Sequence, residues 1–191
     1  VAETMPAPPA DMPELKALCS ALAAPGTGAA LLRLGAGQRE RAYAAMFGAA
    51  LPGAAQGLLL VPDLSFIPPL AAALELVYPG RVGQWHARLT PKRRAEAWAG
   101  AQNGGFKVMI ATRTGVFLPF KELRLAVMDA EQEEIYKQEE AEPFYHAREV
   151  LLRRVKALGG RAVLAGDCPS IESWGRAAAG EFARFDIAPS A

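Results

Sequence analysis

Leu125-Ala126-Val127-Met128-Asp129-Ala130-Glu131-Gln132 is the stretch whose reading decides the fold. Four apolar residues run without a polar break, as in a strand buried on both faces, and they end at an acid. Strands of that kind belong to parallel sheets, where function gathers in the loops at the carboxyl edge. Outward from this stretch the same alternation repeats along the chain. Apolar runs at 29–34, 57–61, 82–86, 106–111, 123–129 and 161–165 read as strands. Between and after them, periodic stretches at 39–51, 66–77, 91–102, 144–158 and 171–179 read as helices. Each crossover helix must pack back onto the sheet, so the expected fold is α/β, a mostly parallel sheet with helices on both faces. The informative loops then begin near Gly35, Pro62, His86, Thr112, Asp129 and Gly166. Before the first strand, Met5 to Pro13 reads as a Pro-rich extended lead. A helix carrying Leu15, Leu18, Cys19 and Leu22 follows and is closed by Pro25-Gly26. The expected division is residues 1–27 as lead and helix, and 28–191 as the sheet-bearing lobe.

With 191 residues and 51% hydrophobic content, the chain suits one globular core. A net charge of +1 supplies no global field, so any polyanion site must be a local patch. The two cysteines, Cys19 and Cys168, and the two histidines, His86 and His146, form no pairs at zinc spacing. No metal and no cofactor is therefore expected in this chain. No apolar run is long enough to span a membrane, and Val1-Ala2-Glu3 does not open a signal peptide. A reducing, cytoplasmic compartment is the expectation. The missing initiator Met and the Ala- and Pro-rich ends read as a piece of a longer protein.

An acid at the end of a buried strand is where an NTPase holds magnesium, with a neighbouring glutamate activating water. Here the neighbour is Ala130. The first strand-to-helix loop, Gly35-Ala36-Gly37-Gln38-Arg39-Glu40, stands where a phosphate loop would. A phosphate loop needs glycines, then a Lys and a Ser or Thr. This one has Gly35 and Gly37 but Arg39 and Glu40 in place of the pair, so an ordinary turn competes with residual nucleotide binding. At the other loops, Val61-Pro62-Asp63-Leu64 and Thr112-Arg113-Thr114-Gly115 place small donors and an arginine at the sheet edge, groups suited to a nucleic-acid backbone. Tyr136, Lys137, Phe144, Tyr145, His146 and Arg148 interleave aromatics with basic groups. Either they stack bases and meet phosphates, or the aromatics are helix-face core and the charges a solvated surface. Cys168, beside Asp167, carries no nucleophile pattern.

Taken in order, these loops resemble the first motor lobe of the PriA-type replication-restart helicases. The resemblance runs from about Leu31 to Ser173. Its most specific stretches are Val61-Pro62-Asp63-Leu64, Trp85-His86-Ala87-Arg88-Leu89, Thr112 to Phe120, Tyr136-Lys137-Gln138-Glu139-Glu140 and Tyr145-His146-Ala147-Arg148. It implies a RecA-like, three-layer motor lobe and DNA contact through Thr112, Arg113, Tyr136, Lys137, Tyr145, His146 and Arg148. The implied partners are single-stranded or forked DNA, other primosome proteins and single-strand-binding proteins. Departures gather in the ATPase. The family's Gly-x-Gly-Lys-Thr becomes Ala36-Gly37-Gln38-Arg39-Glu40. Its Asp-Glu-x-His becomes Asp129-Ala130-Glu131-Gln132, and its Ser-Ala-Thr becomes Gly166-Asp167-Cys168. The expectation is a lobe that keeps a DNA role without ATP-driven unwinding. Its rivals are a structural or protein-interaction lobe, and a divergent NTPase using Arg39 and Glu131 in altered roles.

Overall fold

The computed structural model describes residues 12–187; most of the Pro-rich lead lies outside the described residues. Seven parallel strands form one sheet. They are β1 (Gly28–Arg33), β2 (Gln56–Leu60), β3 (Val82–Trp85), β4 (Val108–Ala111), β5 (Leu123–Met128), β8 (Arg161–Gly166) and β9 (Phe182–Asp186). Their spatial order is β3-β4-β2-β5-β8-β1-β9. A two-stranded antiparallel hairpin, β6 (Lys137–Gln138) and β7 (Tyr145–His146), projects after β5. The helices are α1 (Pro13–Ala23), α2 (Arg39–Ala50), α3 (Ile67–Glu75), α4 (Pro91–Asn103), α5 (Ala147–Ala157) and α6 (Ile171–Ala178).

Why both faces are covered is visible residue by residue. Successive strand side chains point to opposite faces, and the alternate residues of each central strand divide between two cores. Leu32, Leu59, Val61, Val108, Ile110, Leu125, Val127 and Val163 meet α1, α2 and α3 through Leu15, Leu18, Leu22, Tyr43, Phe47, Leu70 and Leu74. Leu31, Leu58, Leu60, Met109, Ala126, Met128 and Leu164 meet α4 and α5 through Ala97, Ala101, Leu151 and Val155. Fully burying a leucine is worth about 1.5–3 kcal/mol, so a strand apolar on both faces is stable only at the centre of such a sandwich. The described part of α1 shares the first core, which makes this helix integral to the lobe.

The expected strands and helices are present, with two differences. β9 was not foreseen, because it pairs only with β1 at the sheet's edge and its Ala183 and Arg184 face water. The expected helix 144–158 starts at Ala147, since Tyr145 and His146 pair with Gln138 and Lys137 in the hairpin. Phe144 is consequently exposed, and is no helix-face core residue.

Candidate nucleic-acid interface

At the carboxyl end of β5, Asp129 is wholly buried. The Tyr43 hydroxyl donates to its Oδ1 at 2.5 Å, and Arg39 Nε lies 3.0 Å from the same oxygen. Tyr43 and Arg39 are four residues apart on α2, so one helix face brings both to the acid. Burial pushes the Asp129 carboxyl up, while the Tyr43 hydrogen bond and the Arg39 charge oppose that shift. Burial, with Asp129 nearby, holds the Tyr43 hydroxyl well above its ordinary pKa, so it remains a donor. Arg39 also lies 5.3 Å from the Phe66 ring centre.

The loop before α2 is closed on itself. Gln38 Oε1 accepts from the Gly35 N–H at 2.9 Å, and the Gln38 N–H donates to the Gly35 carbonyl at 3.0 Å. A backbone amide that would cradle phosphate is thereby engaged by a side chain. These residues do not fit magnesium and a nucleotide triphosphate. A fixed guanidinium stands beside the one acid, and Arg39-Glu40 replaces the Lys and hydroxyl pair, Glu40 adding negative charge at the phosphate position.

The next residues of the motif face the other way. Ala130 adopts φ 47°, a left-handed turn that sends Glu131 inward. Glu131 Oε1 accepts from the Ser170 N–H at 2.7 Å. Its Oε2 accepts from Arg148 Nη1 at 2.9 Å, Ser170 Oγ at 3.1 Å and Ser173 Oγ at 2.8 Å. Ser170 caps α6, accepting from the Ser173 N–H. The network thus welds the end of β5 to the starts of α5 and α6. Neither Tyr43 nor the two serines was singled out in the sequence. The Arg39-to-Tyr43 helical spacing and a serine directly before an apolar helix were the available signals.

Five of the seven residues expected at DNA come together at the sheet edge, and two are corrected. Tyr136 is fully buried and its hydroxyl donates to the Asp129 carbonyl at 2.7 Å, so its ring is closed to a base. Arg148 is 6% exposed and is the partner of Glu131, so it cannot be spent on phosphate. Thr112 opens a short 3-10 turn, Arg113–Phe117. The Arg113 guanidinium donates to the carbonyls of Ile135 and Lys137 and to Gln138 Oε1, pinning the hairpin to this turn. Tyr145 lies edge-on to Phe117, ring centres 5.1 Å apart, with Arg113 6.0 Å from its ring. Lys137 pairs opposite His146 and makes an ion pair with Glu134 at 2.8 Å. Thr112, Lys137, Tyr145 and His146 remain partly accessible here, while Arg113 acts as their brace.

Among the described residues, no group of three or more His, Cys, Asp or Glu could hold a metal, and no helix is long and apolar enough to cross a membrane. No family model matches the chain. The replication restart protein PriA of Chlamydia pneumoniae is 32% identical over 125 residues, covering 65% of this chain and 17% of that protein. PriA of Bacillus subtilis is 29% identical over 127 residues, covering 66% and 16%. The chain therefore spans about a sixth of the length of these relatives. Among solved structures, a DEAD box protein from the hyperthermophile Methanococcus jannaschii superposes with a TM-score of 0.64 at 10% identity, covering 93% of this chain and 49% of that one. At that identity the likeness speaks for the fold alone. In sequence the chain is thus similar to part of the replication restart protein PriA, and its fold is the RecA-like α/β fold shared with the DEAD box protein.

Proposed function

We propose that this chain is a replication-restart lobe that contacts single-stranded or forked DNA and no longer turns over ATP. The single observation that carries the second half is the Arg39–Asp129–Tyr43 cluster. The acid that would hold magnesium is instead engaged through Oδ1 by a guanidinium and a phenol from the helix that would follow the phosphate loop. Ala130 then removes the water-activating carboxylate, a group whose kind contributes on the order of 10²–10⁴-fold in rate. Relatedness to PriA supports the first half, as does the cluster of Thr112, Lys137, Tyr145 and His146 at the sheet edge. Other primosome proteins and single-strand-binding proteins are the natural partners on this reading, and the compartment is the cytoplasm.

The test is phosphate release from ATP and magnesium, with and without single-stranded DNA. The expected result is release at the buffer background in both. DNA-stimulated release that Asp129→Asn abolishes would overturn the proposal in favour of a divergent NTPase. Calorimetry with millimolar ATP should likewise show no saturable heat.

A further inference from the structure

At the outer edge of the sheet, Trp85 closes β3 and Trp98 rises from α4, their ring centres 5.9 Å apart at 50°. With Leu89, Pro91, Arg94 and Ala95 they line a shallow, widely open depression of about 460 Å3. Trp98 is 43% exposed, so a large apolar face of its ring is open to solvent beside Trp85. The pocket is braced. Trp85 Nε1 donates to Thr114 Oγ1 at 3.0 Å, and Arg94 donates to the Ala87 carbonyl at 3.0 Å while lying 5.8 Å from the Trp85 ring.

Charge around it is concentrated and unbalanced. Between Trp85 and Trp98 stand Arg88, Lys92, Arg93 and Arg94 against the lone acid Glu96, in a chain whose net charge is +1. Among the described residues, Lys92 and Arg93 make no ion pair, and Arg88 acts on the Asp63 carboxylate only through space. The first turn of α4 contains no acid, and Lys92, Arg93 and Arg94 crowd the end of the helix that already carries partial positive charge. Cations there oppose the helix dipole, so the arrangement is locally unfavourable until an anion approaches. Burial first, and then the charges of Arg88 and Arg94, hold His86 below its ordinary pKa.

We propose that the Trp85–Trp98 pocket is a stacking site for an unpaired base of single-stranded nucleic acid, with Arg88, Lys92 and Arg93 meeting the flanking phosphates. Aromatic faces that accept any base, rimmed by cations that track a backbone, are the two parts such binding needs. The Thr112 N–H donates to the Trp85 carbonyl at 3.0 Å, so the pocket continues into the sheet-edge loops. The inference rests on the DNA-contacting reading and deepens it, naming unpaired strands as what the surface takes.

The experiment follows tryptophan fluorescence of the 191-residue chain carrying Trp174→Phe, so that the two pocket rings alone emit. Titration with an oligothymidylate should quench them saturably, and the quenching should weaken with salt. Trp98→Ala should weaken binding at least about fivefold and Trp98→Phe much less, since a phenyl ring still stacks. Combined Arg88→Ala, Lys92→Ala and Arg93→Ala should lower the salt dependence. Melting temperatures near the parent's would show each variant folded. Affinity unchanged by Trp98→Ala, equal quenching by a poly-glutamate peptide, or stronger binding to duplex than to the single strand would each overturn the pocket. If Lys137→Ala still weakens binding to a longer strand in that case, the sheet-edge reading stands without the pocket.

Discussion

Glu131 accepts from Arg148, from both the amide and the hydroxyl of Ser170, and from Ser173, with its side chain wholly out of water. It sits two residues beyond Asp129, which has its own cation in Arg39. Each acid of the motif has thus been matched to an internal arginine, Asp129 through Oδ1 and Glu131 through Oε2. The consequence for Arg148 differs from that of a surface phosphate contact. Removing one member of a buried pair strands the other, at a cost of about 3–5 kcal/mol. Arg148→Ala is therefore expected to lower stability by about that much in urea unfolding, and to affect DNA affinity only through folding. Near-parental stability with lost DNA binding would return Arg148 to the interface.

The element that depends on its sequence neighbours in a pH-sensitive way is α5. His146 is its N-cap, with Nδ1 accepting from the Arg148 N–H at 3.2 Å. That bond needs an unprotonated nitrogen. Desolvation first, and then the Arg148 charge, hold His146 below the ordinary histidine value. A base whose folded pKa is depressed contributes its full stability above the unfolded pKa, about 6.5. That contribution is lost as pH falls through this value toward the folded one. The melting temperature should accordingly drop between about pH 7.5 and 5.5. His146→Asn keeps a capping acceptor but no titration, so its profile should be flatter. His86, also depressed, retains its own share of the slope. Identical profiles for parent and variant would exclude the cap as the sensor.

For the molecule as a whole, a net charge of +1 makes binding depend on where the basic groups lie. Affinity for unstructured DNA is expected toward the weak end of roughly 10⁻⁴–10⁻⁶ M at physiological salt, and steeply salt-dependent. Lys137 lies at the surface, and its ion pair with Glu134 is an exposed one worth little. Lys137→Ala should reduce the salt slope by about 1 without moving the melting temperature. A lowered melting temperature with unchanged binding would make the hairpin a structural element only.

The central strands and their helices were legible because periodicity reports burial directly. Leu125–Met128 cannot be apolar on consecutive positions unless both faces are covered, and helices at 39–51 and 144–158 announce what covers them. β9 was not legible, since an edge strand buries so little that Ala183, Arg184 and Asp186 carry no apolar pattern. The departures from the family's Lys-Thr pair and motif glutamate were likewise written in the sequence, because those are changes of residue type. What tertiary structure alone decided is the partner of each polar group. Composition leaves the stretch from Tyr136 to Arg148 open between a DNA surface and a packed helix face, and the family resemblance implies DNA contact for both residues. Burial depends instead on the turn at Ala130 and on how β5, α5 and α6 converge, and that convergence is a matter of three-dimensional packing between segments far apart in the chain.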